Sequence, residues 1–303
     1  MNNKKILPVG TRGSLLAVSQ THLVLDMIKA KNEGIDFEVK TIKTSGDEGK
    51  EILGAFVKEV EIALRSKEIN IAIHSLKDMP TALPEGVFVA SVPTRGEHRD
   101  CLISRDNIRF EDLPKGAKIG TSSLRRIYQL RDIRPDLQFV TIRGNIITRM
   151  GKIDIGEVDA VILAAAGLER VQMADKITQI FTEEQMLPAV AQGILAIEVR
   201  DDDPATIDLV RSINDENTML AADAERAFLT GLGGGCRMPI AAYARVNENG
   251  EMLLDGMVYA EDGSKMEKGF VSGKPQDAKE LGRKLSEELL QKFGKKPFFS
   301  NIG

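Results

Sequence analysis

Ile119-Gly120-Thr121-Ser122-Ser123-Leu124-Arg125-Arg126, continued by Arg131, Arg134, Arg143 and Arg149, is the stretch that decides the fold. The apolar run reaching Gly120 reads as a buried strand, Thr121 to Ser123 supply a turn and an N-cap, and Leu124, Ile127, Tyr128 and Leu130 open a helical stripe. The first turn of such a helix presents unpaired N–H groups at the positive end of its dipole. Hydroxyls and two arginines placed there make a site for anions. Dipoles favour acids at a helix start, so Arg125 and Arg126 break the local rule, and broken local rules gather at functional positions. The competing reading is a solvated basic face.

The same grammar occurs earlier in the chain. Lys5 to Val9 is a short apolar run, Gly10-Thr11-Arg12-Gly13-Ser14 turns, and Leu15 to Ala30 predicts a helix with Leu16, Val18, Leu23, Met27 and Ile28 on one face. Phe139 to Gly144 answers Val39 to Thr44, and Asp159 to Ala164 followed by Glu169-Arg170 answers Asn70-Ile71-Ala72-Ile73-His74-Ser75-Leu76-Lys77-Asp78. Three segments matching in one order imply a duplicated α/β unit: two lobes with mainly parallel sheets, whose ligands bind outside the carboxyl ends of the strands. The lobes are expected to face each other across a cleft lined by Arg12, Lys77, Asp78, Arg125, Arg126, Arg143, Arg149 and Arg170. Leu187-Pro188-Ala189-Val190-Ala191-Gln192-Gly193 reads as the chain crossing back between them. From Gly231 onward three short strands and a closing amphipathic helix predict a small α+β domain with an antiparallel sheet. The expected division is 1–94 with 190–214, then 95–189, then 215–303.

Bulk composition narrows the function. Lys+Arg of 41 against Asp+Glu of 45 leaves a formal charge of -4, which argues against a nucleic-acid partner and makes any basic site local. Neither a signal-type leader nor a long apolar span is present, so a cytoplasmic protein without a membrane partner is expected. Two cysteines and the histidines His22, His74 and His98 fall in no metal-ligand spacing, so no metal is expected. No heptad or apolar stripe asks for a partner subunit, and a monomer is expected.

Two further stretches bear chemistry. Gly231-Leu232-Gly233-Gly234-Gly235-Cys236-Arg237-Met238-Pro239 fits neither a dinucleotide fingerprint nor a P-loop. Its glycines leave Cys236 on a bare loop, whereas Cys101, in Arg99-Asp100-Cys101-Leu102-Ile103, reads as packed; Cys236 is a reactive thiol or an inert one. Lys77-Asp78 follows a strand and so stands at the sheet edge where ligands sit. Ringed by arginines, Asp78 should stay ionised and act as a fixed negative charge. Against a cation about 4 Å away in an effective dielectric of about 20, it is worth at most roughly 4 kcal/mol, near three decades in rate. An ordinary surface ion pair is the bland alternative.

Gly120 to Arg126, His74-Ser75-Leu76-Lys77-Asp78-Met79-Pro80, Ile142-Arg143-Gly144-Asn145, Leu187 to Gly193 and Gly234-Gly235-Cys236 together resemble the porphobilinogen deaminase family, also called hydroxymethylbilane synthases. The likeness spans nearly the whole chain. It implies three domains, the first two similar to periplasmic binding proteins. It also implies a dipyrromethane cofactor held through a thioether on Cys236, to which four porphobilinogen units are added head to tail with loss of ammonia before hydrolysis releases hydroxymethylbilane. By the same resemblance Asp78 steadies cationic pyrrole nitrogens. Arg12, Lys77, Arg125, Arg126, Arg143, Arg149 and Arg170 bind carboxylates, and Ser14, Thr121, Ser122, Ser123 and Gln192 add hydrogen bonds. The residues agree with this: acetate and propionate groups make the growing chain a polyanion, and a net-acidic protein needs a dense local set of arginines to hold it. Loss of ammonia leaves an electron-poor azafulvene, and its capture passes through a cation suited to Asp78.

Two departures from the family pattern stand out. Between Asp47 and Phe56 the chain has only Glu48 to Ala55, shorter than usual and without a Gly-Gly-Lys-Gly run, which bears on how intermediates are shielded from water. Ala191 stands where glycine is usual, with a mild effect expected. The alternative function is a non-catalytic anion-binding module of periplasmic-binding type, since fold alone does not fix function. Against it stand the absent export signal and an otherwise idle domain bearing Cys236.

Overall fold

The computed structural model describes residues 5–44, 57–234 and 238–294. Two compact units make up the chain, Met1–Arg95 with Ile194–Met219 and Gly96–Gly193 with Leu220–Gly303.

In the first unit, β1 (Lys5–Arg12) and β2 (Ile35–Ile42) pair in parallel along their whole length, and β3 (Ile71–Ser75) joins the other side of β1. The sheet is completed by β4 (Val87–Ser91) at its edge, in the order β2-β1-β3-β10-β4, where β10 (Leu195–Arg200) is the returning segment. Because β10 arrives from the opposite direction, it runs antiparallel to both neighbours. The sheet is therefore mixed, mainly parallel as expected, with one strand in five reversed.

Helix α1 (Leu15–Lys31) starts where Ser14 accepts the Ala17 N–H at 3.2 Å, and Lys29 and Lys31 suit its negative end. Its buried face is Gln20, Thr21, Val24, Leu25 and Ile28, while Leu23 is exposed and Leu16, Val18 and Met27 are only half-buried. The expected stripe is thus rotated. Apolar residues occupy much of this helix's circumference, so pattern alone does not choose a face; the one chosen lets Gln20 reach Ser75. Helix α2 (Lys58–Arg65) packs Val60, Ala63 and Leu64 onto the sheet, and α6 (Pro204–Arg211) begins with Asp203 accepting the Thr206 N–H and proline at its first position. The core between sheet and helices holds Val9, Val24, Ile28, Ile71, Ile197 and Val210.

The second unit repeats this plan. Its strands are β5 (Asp100–Ser104), β6 (Lys118–Gly120), β7 (Gln138–Val140), β8 (Ala160–Ala164) and β9 (Gln179–Ile180), in the order β7-β6-β8-β5-β9. Again the fourth strand, β5, is the segment that enters from the other lobe, and it alone runs antiparallel to its neighbours. Helices α3 (Leu124–Ile133), α4 (Ile146–Asp154) and α5 (Ala165–Arg170) follow β6, β7 and β8. The duplication reaches single atoms. A Cβ on Gly10 would lie 3.1 Å from Ile42 Cδ1, besides 2.4 Å from Ile69 Cδ1, and one on Gly120 would lie 2.7 Å from Ile142 Cδ1, the counterpart of Ile42, so glycine serves close packing at both positions.

Helix α7 (Glu216–Gly231) leads to the antiparallel strands β11 (Ile240–Val246), β12 (Met252–Tyr259) and β13 (Met266–Gly273), closed by α8 (Ala278–Phe293). Gly294, at φ 75, ends α8 by donating to the carbonyls of Leu290 and Gln291. Among the described residues no helix is long and apolar enough to cross a membrane.

Candidate active site

In the first unit the candidate residues cluster where β1 and β3 end. Thr11 is buried, with no hydrogen-bond partner for its Oγ1 among the described residues, and Arg12 beside it is half-buried. Ser14 caps α1. After β3 the chain makes one 3-10 turn, Leu76–Asp78. This turn is anchored residue by residue: Ser75 Oγ bonds Gln20, Leu76 N–H donates to Ile194 O at 3.0 Å, and Met79 N–H closes back on Leu76 O at 3.2 Å. Lys77 is half-buried. Asp78 is exposed, and its carboxylate holds no hydrogen bond or ion pair with any described residue. Of the arginines expected to ring it, only Arg12 belongs to its own unit.

In the second unit Thr121 is buried; its N–H donates to Val140 O and its Oγ1 accepts the Ser123 N–H at 3.2 Å. Ser122 is exposed. Ser123 occupies the N-cap of α3 without a side-chain cap bond. Arg125 and Arg126 do not form a solvated face. Both turn inward onto Asp100, which is fully buried: Arg125 Nη1 lies 2.7 Å from Oδ2, and Arg126 Nε and Nη2 lie 2.9 and 2.7 Å from Oδ1. Arg125 also donates to Leu187 O and Arg126 to Ile162 O. Within this unit the anion at the start of α3 is the protein's own carboxylate. Burial, more than any neighbour, lowers the pKa of Arg125, with Asp100 opposing.

Arg143 is exposed, and Arg149, on α4, donates from Nε to Gly144 O at 2.8 Å. Arg170 ends α5 and donates from Nη2 to Gly193 O at 2.6 Å. It has no salt bridge among the described residues, and burial pushes its pKa down to about 10. Gln192 is fully buried with its amide donating to His98 O at 2.8 Å, so it supports the crossing strand from within. Cys236, the expected attachment point, and the shortened segment after Asp47 lie outside the described residues. Cys101 is buried, and burial followed by the charge of Asp100 raises its thiol to about 12, which leaves it inert.

Three partners escaped sequence reading. Asp100 was assigned no role from sequence, though its place at the head of the apolar run Cys101-Leu102-Ile103 is a signal for a buried, paired charge. His98 stacks on Tyr243 at 4.0 Å between ring centroids and meets Glu183 at 2.6 Å, a pairing no spacing could reveal. Glu225, fully buried on α7, accepts the N–H groups of Ala191 at 2.5 Å and Ala244 at 2.8 Å. Ala191 itself sits at φ 59, a left-handed backbone that disfavours a Cβ. Alanine in place of glycine is therefore a strained substitution rather than a mild one.

A dipyrromethane bearing several carboxylates fits this donor set. In the first unit Thr11 Oγ1 is a buried hydroxyl awaiting a partner, and in the second Arg170 is a desolvated cation short of an anion. Among the described residues no group of three or more His, Cys, Asp or Glu side chains is arranged to hold a metal.

Residues 7–208 match the family model described as porphobilinogen deaminase, dipyromethane cofactor binding domain, and residues 219–291 match the porphobilinogen deaminase C-terminal domain. The chain is 48% identical over 289 residues to the porphobilinogen deaminase of Brevibacillus brevis, covering 93% of each. It is 46% identical to that of Lysinibacillus sphaericus, covering 94% of each. Among solved structures it is similar to the BvgS VFT2 domain of Bordetella pertussis, with a TM-score of 0.43 at 17% identity, covering 69% of this chain and 85% of that one. A periplasmic binding protein of Salmonella typhimurium gives a TM-score of 0.39 at 14% identity, covering 69% and 91%.

Proposed function

This chain belongs to the porphobilinogen deaminase family, and from that premise we propose how its own residues share the reaction. It is a hydroxymethylbilane synthase, a transferase of tetrapyrrole biosynthesis that acts on porphobilinogen and binds a dipyrromethane cofactor. When bound, the cofactor supplies the pyrrole carbon to which substrate units are joined. In our reading Cys236 holds it through a thioether. Asp78 faces the positive charge that develops on pyrrole nitrogen. Arg12, Lys77, Arg143, Arg149 and Arg170 bind acetate and propionate groups, and Arg125 and Arg126 do so with the guanidinium edges that Asp100 leaves. Ser14, Thr121, Ser122 and Ser123 donate hydrogen bonds, while Gln192 serves by holding the His98 carbonyl. Residues 215–303 form the domain that presents Cys236, and the protein works as a cytoplasmic monomer.

The observation that carries the reading is the state of Asp78. An exposed carboxylate on a turn fixed at each flanking residue, with no partner among the described residues, is a charge held ready for a ligand. Its ion pair is not already made, so a cation arising next to it gains the interaction only as the reaction proceeds.

Intact mass under denaturing conditions tests the attachment. Purified protein should exceed its sequence mass by one dipyrromethane, and Cys236→Ala should not; an adduct that survives this substitution defeats the assignment. Asp78→Asn should keep the adduct and lower kcat by about two to three decades, within the Coulomb limit for one charge.

A further inference from the structure

Beneath the Asp78 turn lies a group of ionisable side chains that the reaction does not use. His74, on β3, places Nε2 3.0 Å from Oε2 of Glu198 on β10, and the two side chains are 5% and 0% exposed. Glu61, on α2, is buried beside them. One oxygen of each acid, Glu61 Oε1 and Glu198 Oε1, is buried without a hydrogen-bond partner among the described residues. Two carboxylates with bare oxygens in an apolar core cannot both be ionised against a single imidazole, whereas one proton between them satisfies both acceptors.

The surroundings agree. Burial is the largest influence on Glu61 and the charge of Glu198 the next; both raise its pKa, and His74 and Arg65 oppose them. Arg200, also on β10, is engaged with the carbonyls of Leu64 and Ile69 and with Asp202 and Asp203. Strand β4 brings no charged side chain, and β1 carries charge only at its ends, Lys5 and Arg12.

We infer that Glu61 is protonated in the folded protein and donates to Glu198, which in turn holds His74, and that this buried chain positions the turn bearing Lys77 and Asp78. The inference rests on the reading of Asp78 given above. Its mechanical basis is that three consecutive residues are each tied to a different part of the lobe. Glu198 holds His74 from β10, Gln20 holds Ser75 from α1, and the Ile194 carbonyl holds Leu76. Asp78 follows two residues later and inherits that rigidity, and orientation of this kind governs rate more than affinity.

The test uses the full-length, primed protein. A carboxyl whose folded pKa is raised withdraws stability as pH climbs from its unfolded value, about 4.3, towards the folded one. Glu61→Gln keeps a donor and cannot ionise, so its Tm should gain on the wild type as pH rises above that unfolded value. Parallel Tm curves would overturn the shared proton. Glu198→Gln should lower kcat about tenfold with KM changed by less than about twofold, and Glu198→Asp should recover part of the loss. A folded Glu198→Gln with unaltered kcat overturns the positioning role; should it not fold, His74→Asn gives the same kcat reading. The Tm curves need no turnover. If Asp78→Asn proves fully active, the reading of the site fails while the shared proton is still decided.

Discussion

Each lobe buries a carboxylate on its antiparallel fourth strand, and the two neutralise it by opposite means. In the second lobe Asp100 lies opposite Ala164, the last residue of β8, and receives two arginines from the start of α3. In the first, Glu198 lies opposite Ala72, deeper than the end of β3 at Ser75, and meets one histidine and a further acid. Two guanidinium groups against one carboxylate leave a positive surplus at the rim. Two carboxyls against one imidazole call for an extra proton and leave none. One duplicated frame thus buries its acid against two arginines in one half and against a histidine and a second acid in the other.

The largest effect that separates the two halves is expected at the buried acids. Asp100→Asn strands two buried cations and should cost about 3–5 kcal/mol in denaturant unfolding, because guanidinium groups cannot discharge their protons. Glu198→Gln should cost clearly less, since it faces one imidazole and not two guanidinium groups; equal losses would break the contrast. A middle-sized difference is expected at the two caps. Ser14→Ala removes the bond to Ala17 N–H and should cost about 1 kcal/mol, whereas Ser123→Ala removes no cap bond and should stay within about 0.5 kcal/mol. The smallest concerns the two crossings between lobes. The outgoing one, residues 92–99, keeps every non-glycine φ negative, while the returning one forces Ala191 to φ 59. Ala191→Gly should raise stability by up to about 1 kcal/mol, the relief of a left-handed alanine being partly offset by the freer unfolded chain. A loss on this change would mean that the alanine methyl makes contacts worth more than its strain.

How much of this was legible depends on what each feature requires. Strand, turn and helix at Val9 to Ser14 and at Ile119 to Arg126 show in local periodicity, and so does the duplication. The direction of β5 and β10 does not, because it is set by where the chain comes from and not by its residues. The face of α1 was misread for a related reason: apolar residues surround that helix, and a long-range bond between Gln20 and Ser75 accompanies the rotation. At the site, the arginines were visible as a set, but their partners were not. Asp100, Glu198 and Glu61 are acids in apolar runs whose meaning is fixed by neighbours far along the chain. Cys101 was readable as packed because the apolar pair Leu102-Ile103 follows it directly.

Since β10 lies between β3 and β4, the first lobe cannot close its sheet from residues before 95 alone. On the ribosome, roughly a hundred further residues must emerge, taking on the order of ten seconds at ordinary elongation rates, before that gap can be filled. The second lobe's strands are all synthesised within this interval. Of the two five-stranded sheets, the one begun first is therefore the one completed last, and a nascent chain halted near residue 180 should leave β3 with an open edge and β4 without its partner strand.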